Sequence, residues 1–63
     1  MTYFYIEERF DGAPVLIDKP YTSEREAEQS AMQFAKGFYR IVSFPSRDKV
    51  KVRNWWKQSL YNQ

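Results

Sequence analysis

Twelve aromatic side chains in a chain of 63 residues, with no cysteine and no histidine among them, constrain this sequence more than any other feature. A chain this short hides only about 60% of the surface its unfolded form exposes, and small domains usually add disulfides or a metal to compensate. Neither is available here, because Cys and His are the residues that build disulfides and structural zinc sites. Stability must then come from a partner subunit or from burying rings, each worth about 150–250 Å² of contact, and Phe4, Phe10, Phe34, Phe38 and Phe44 are the candidates. The aromatic content favours a folded domain over disorder despite a mean hydropathy of −0.75.

The same absences narrow the chemistry. Without thiol or imidazole there is no cysteine nucleophile, no histidine general base and no proton shuttle of the usual kind. The chain has two glycines, Gly12 and Gly37, too few for a phosphate-cradling loop. Glu7 and Glu8 are adjacent, but neighbours on a strand point to opposite faces and cannot share a site. Glu24 and Glu28 share a helix face, where acids at a helix start are stabilised by the dipole without any pocket. The expectation is a protein with no catalytic residues, no cofactor and no metal, and therefore not an enzyme.

Hydrophobic periodicity outlines the elements. From Thr2 to Phe10 the pattern alternates, with Phe4, Ile6 and Phe10 on one side and Tyr3, Tyr5, Glu7 and Arg9 on the other, which reads as a strand. Asp11-Gly12-Ala13-Pro14 supplies turn chemistry, and Val15 to Lys19 resumes as a second strand, so the first eighteen or so residues form a hairpin. Pro20 closes it. Ser23-Glu24-Arg25-Glu26 is a capping box opening a helix, with Ala27, Ala31, Phe34 and Ala35 as its apolar stripe, Phe34 as the expected anchor and Gly37 as the left-handed residue that ends it.

Phe38 to Phe44, rich in β-branched and aromatic residues and stopped by Pro45, reads as a third strand whose facing is open. Either Phe38, Val42 and Phe44 point inward together with Arg40, or Tyr39 and Ile41 do; the first is favoured if Arg40 reaches the sheet rim. Val50-Lys51-Val52-Arg53 alternates like a short fourth strand. Residues 54–63 can pack as a short helix, extend the strand or fray, the last an option for residues from about 57 onward. The whole chain, residues 1–63, is a single α+β domain: an antiparallel sheet of three or four strands, β-β-α-β with an optional last β, with one helix packed on one face. The other face, carrying Tyr3, Tyr5 and Arg9, has no evident cover.

Charge is unevenly divided. Residues 1–30 hold seven acids against Arg9, Lys19 and Arg25, net −4, while residues 31–63 hold seven bases against Asp48, net +6. A split of this kind governs encounter with charged partners more than it governs the fold. Two binding modes follow. In the leading one the uncovered face and the third strand dock a partner protein through Tyr3, Tyr5, Arg9, Arg40, Arg47, Arg53, Trp55 and Trp56. In the alternative, Lys49, Lys51, Arg53, Trp55, Trp56 and Lys57 neutralise phosphates and stack on nucleic-acid bases. Trp55 and Trp56 serve equally well as core, and a homodimer would use the same open surface. No apolar run is long enough for a membrane span and the N-terminus carries Glu7 and Glu8 where a signal peptide needs basic residues, so no membrane role and a cytoplasmic location are expected.

The run Tyr21-Thr22-Ser23-Glu24-Arg25-Glu26-Ala27 to Gly37-Phe38, followed by a strand closing at Pro45, resembles the plan of the small T7-type phage inhibitor of host RNA polymerase. The resemblance covers residues 3–45 and rests on element order and spacing. It implies a non-enzymatic phage accessory protein that inhibits a large host machine by occupying a charged groove, in the host cytoplasm. The positions matching the strand arginines of that family hold Val42 and Phe44 here, which leaves Arg40 as the strand cation and weakens the implication of RNA polymerase itself as partner.

Overall fold

The computed structural model describes residues 1–61 and shows a small α+β domain. Three strands, β1 (Tyr3–Phe10), β2 (Ala13–Leu16) and β3 (Phe38–Phe44), form one antiparallel sheet in the order β2-β1-β3. Helix α1 (Glu24–Phe34) lies between β2 and β3 in sequence, and α2 (Lys49–Tyr61) follows β3. Successive side chains of the central strand alternate between faces. Tyr5 belongs to a cluster with Leu16, Val52 and Trp56, while its neighbour Ile6 belongs to one with Ala27 and Ala31. The two helices therefore sit on opposite faces of the sheet.

This arrangement overturns the expectation of a single helix and an uncovered face. Val50 to Arg53, read as a strand from its alternation, forms the first turn of α2. The capping chemistry just upstream decides it: the Asp48 carboxylate accepts the backbone N–H of Val50 at 2.9 Å and of Lys51 at 3.2 Å, and its own N–H donates to Ser46 Oγ at 3.0 Å. An acidic cap of this kind satisfies donors that a helix start otherwise leaves unpaired. Val52 and Trp56 then recur at four-residue spacing as the buried face of α2, with Leu60 partly buried behind them. The sheet has three strands among the described residues, and of the three courses open to residues 54–61 the helix is the one taken; residues 62–63 lie outside the described part.

Covering both faces also resolves the facing of β3. Val42 and Phe44 pack toward α2, Tyr39 and Ile41 pack toward α1, and the two alternatives are both realised. Phe38 and Phe10 remain mostly exposed. So does Phe34, which was expected to anchor α1: it is the last helical residue, over a shallow cleft lined by Ile17, Tyr21 and Ala35. The buried contact of α1 is made by Ala27 and Ala31, whose single methyl groups let the helix approach the sheet.

The turns follow local rules with two departures from the sequence pattern. Asp11 (φ 58°) and Gly12 (φ 95°) both take left-handed backbone, giving a two-residue hairpin loop that pairs Phe10 with Ala13. Ala13 and Pro14 accordingly belong to β2, on an edge strand where a missing N–H costs no ladder bond, and β2 ends at Leu16 rather than Lys19. The chain rejoins the sheet edge at Tyr21, which exchanges two 2.8 Å backbone bonds with Phe4. At the start of α1, Ser23 Oγ accepts the Glu26 N–H at 3.1 Å, as the capping box requires, while the Glu26 carboxylate is paired with the Thr22 hydroxyl.

Gly37 does not end α1 in a left-handed conformation; the helix stops at Phe34 and Ala35 is extended. What requires glycine there is proximity, since a Cβ at position 37 would lie 2.6 Å from the Arg9 carbonyl oxygen. Gly37→Ala should push β3 away from β1 at its first residues and cost about 1–3 kcal/mol as an overpacked site. A urea melt of the variant checks this, with an unchanged midpoint counting against the close approach.

Candidate binding site

The register of β1 against β3 sets Glu7 opposite Arg40, and the packing of α2 brings the Trp56 indole over the same point. Glu7 is a carboxylate only 6% exposed, and such a group is costly to bury unless every oxygen is paired. Both are. Arg40 donates to it through Nε and through a second guanidinium nitrogen at 3.2 Å, and Trp56 Nε1–H donates to Oε1 at 2.6 Å. Burial by itself would raise the Glu7 pKa, but the hydrogen bonds from Arg40 and Trp56 and the charges of Arg40 and Arg9 outweigh it and hold the carboxyl below its ordinary value. The bond to Glu7 correspondingly raises the pKa of Arg40, which is a fixed cation with half its side chain in solvent.

Helix α2 packs toward β2, where Trp56 clusters with Leu16, and the first half of β3 stays uncovered on that side. Glu7, Arg9, Phe38, Tyr39 and Arg40 line an open hollow of about 230 Å³ there. A second, of about 560 Å³, is lined by Arg9, Pro14, Trp56, Lys57, Leu60 and Tyr61. Arg9 borders both. Its guanidinium makes no ion pair or hydrogen bond among the described residues, unlike Arg40 and Arg53, which are paired to Glu7 and Asp18. Arg9 and Arg40 therefore rim the first hollow and Arg9 and Lys57 the second, each an arrangement able to hold a carboxylate or phosphate group beside an aromatic ring.

The residues expected to make partner contacts are not gathered into one surface. Tyr5 is 3% exposed, with its hydroxyl donating to the Ser46 carbonyl at 2.9 Å; burial, with the Asp18 charge next, raises its pKa. Trp56, 8% exposed, is core and shows only an edge to the second hollow, so α2 covers most of both side chains. Tyr3 is half-buried beside them. Trp55 lies on the outer flank of α2, stacked on Phe44 with centroids 6.2 Å apart. Arg47 is exposed just ahead of α2, and Arg53 is bonded to Asp18 at 2.8 Å. Arg9 and Arg40 are the two that converge.

The nucleic-acid set divides in the same way. Lys49, Arg53 and Lys57 follow one another at four-residue spacing along one flank of the helix, whereas Lys51 and Trp55 share the other. The exposed acids Glu24, Glu26 and Glu28 sit on α1, across the sheet from these bases. Glu7 and Glu8 are separated as their adjacency requires, Glu8 accepting the Lys36 N–H at 2.6 Å on the α1 side. Phe38, Leu60 and Tyr61 were not among the expected contact residues. Pairing of Phe38 with Arg9 follows from an antiparallel register, but Leu60 and Tyr61 reach the site only because α2 is a helix.

No group of acidic, histidine or cysteine side chains among the described residues could hold a metal ion, and no described helix is long and apolar enough to cross a membrane. No protein-family model, no curated protein and no solved structure matches this chain.

Proposed function

We propose that this protein is a non-enzymatic binding module that holds an acidic segment of another protein along the two hollows that share Arg9, one rimmed also by Arg40 and the other by Lys57. The observation that carries this reading is the pair Arg9 and Arg40, diagonal neighbours on β1 and β3 that line one hollow, the first without a partner among the described residues and the second held in place by Glu7. A guanidinium already oriented by a buried carboxylate loses little freedom on binding, and one without a partner has its donors available. The rings of Phe38 and Tyr61 give the apolar contact that confers selectivity over a bare anion. A protein of this kind acts on a larger assembly as an accessory or inhibitor, the role that resemblance to the phage family implies.

Arg9→Glu tests the reading, because Arg9 is exposed and makes none of the hydrogen bonds to Glu7; a urea midpoint measured alongside accounts for the loss of its charge near that carboxylate. Protein captured from nuclease-treated bacterial lysate should fall roughly tenfold or more, the loss expected for one charge-assisted contact. Arg25→Glu on α1 should leave capture unchanged. Equal capture by both variants removes the two hollows as the site.

The row Lys49, Arg53 and Lys57 favours a second reading, nucleic-acid binding along one flank of α2. Affinity for single-stranded DNA or RNA that falls steeply with salt, and that is lost in Lys49→Ala with Lys57→Ala, would put it first.

A further inference from the structure

We infer that β3 pairs with β3 of a second copy, edge to edge and antiparallel, about a two-fold axis through Ile41, extending the sheet to six strands. This goes beyond the acidic-segment reading and shares Phe38 and Arg40 with it, but it is read out by mass and crosslinking rather than by capture, so either can fail alone.

The order β2-β1-β3 leaves two edges, and they are not alike. β2 is four residues long and contains Pro14, features that blunt an edge against further pairing. β3 is seven residues long and contains no proline and no lysine. Among the described residues its backbone groups bond only to β1, so a full row of donors and acceptors faces outward. Its single charge, Arg40, is neutralised from the side by Glu7 and does not repel an approaching strand.

The sequence of β3 then selects the register. An axis at Ile41 sets Phe38 opposite Phe44 of the second copy, Tyr39 opposite Ser43 and Arg40 opposite Val42, engaging all seven residues with no like charges face to face. An axis at Arg40 would set that cation against itself. An axis at Val42 would bring Pro45 opposite Tyr39, where a ladder donor is missing. The Ile41 register also gives Phe38, now 86% exposed, a place beside Phe44 of the other chain, which already stacks on Trp55. A two-fold contact of this kind closes on itself and leaves β2 as the outer edge on both sides.

Light scattering over a concentration series should show the mass rise from 7.6 kDa toward twice that value. Phe38→Lys, at a position too exposed to matter for the fold, should weaken the dimer at least tenfold, whereas Phe34→Lys, at a residue also mostly exposed but on α1, should not. Because the chain has no cysteine, Ile41→Cys carries a lone thiol at the one position that meets its own copy across the axis. It should oxidise to a disulfide-linked dimer much faster than Ser43→Cys, which faces Tyr39. A wild-type protein that stays monomeric at submillimolar concentration overturns the inference. So does a dimer that Phe38→Lys leaves intact, or one in which Ser43→Cys crosslinks as readily as Ile41→Cys. Should Ile41→Cys fail to fold by circular dichroism, the Phe38→Lys result decides.

Discussion

Trp56→Ala is expected to leave the chain unfolded at room temperature. The indole is the largest side chain in the cluster of Tyr5, Leu16, Val52 and Trp56, and truncating a buried aromatic typically costs about 3–5 kcal/mol in lost contact and residual cavity. A core this small supplies about that much in total, so no reserve remains. The loss has a second part. Trp56 Nε1–H is one of the donors that make the buried Glu7 carboxylate tolerable, and without it Oε1 keeps only the long bond from Arg40. Trp56→Phe separates the two parts, because it keeps most of the ring and loses the donor. It should fold, with stability lowered by about 1–3 kcal/mol, the cost of leaving a buried acceptor short of a partner. Urea melts followed by far-ultraviolet circular dichroism measure both; a folded, cooperative Trp56→Ala would show that α2 contributes little to the core.

The second large effect belongs to Glu7 and appears as pH dependence. Its carboxyl is held below its ordinary value of 4.5 in the folded protein, so the folded state binds the proton less readily than the unfolded chain does. By linkage this contribution to stability is fully present above about pH 4.5 and is lost as pH falls through the lower, folded-state value. The protein should therefore lose stability on acidification below that point. Glu7→Gln should flatten this dependence, since the amide oxygen can still accept from Trp56 but carries no charge for Arg40. At neutral pH the same variant should be destabilised, and it should release Arg40, so the β3 cation becomes mobile. Urea midpoints measured from pH 7 down to pH 3 in both proteins check the sign. Parallel curves for wild type and Glu7→Gln would mean that another carboxyl governs the acid limb.

How far these features were legible in advance depended on whether a local signal had a competitor. β1 was readable because Tyr3 to Phe10 alternates between two sets of residues, of which Tyr5 and Glu7 are buried on one side of the sheet and Ile6 on the other. The start of α1 was readable because Ser23, with Glu26 three residues on, completes a capping box that its neighbour Thr22, followed there by Arg25, does not. At Val50 to Arg53, two periods compete over the same residues: alternation favours a strand, while Val52, Trp56 and Leu60 recur at helical spacing. Asp48 is the residue that separates them, and a single cap is a weak mark when read without its geometry.

Misplacing α2 carried through to the site. With that helix absent, the Tyr5 face looked open and both tryptophans looked available, whereas packing draws Tyr5 and Trp56 inside and leaves Arg9 and Arg40 at the rim. Glu7 was set aside as half of an unworkable acid pair. Its pairing with Arg40 depends on the register of β1 with β3, which no local pattern specifies. Phe34 and Phe38 looked like core because rings usually are; whether a ring is buried depends on where the neighbouring element ends.

One strand serves as the common wall of both hydrophobic clusters, offering Tyr5 to one and Ile6 to the other. Neither helix can lift away without wetting a surface on which its opposite number also leans through the thickness of a single backbone. Partial opening is therefore penalised nearly as heavily as complete collapse, and a polypeptide of these dimensions can behave as one indivisible unit although it lacks any covalent crosslink.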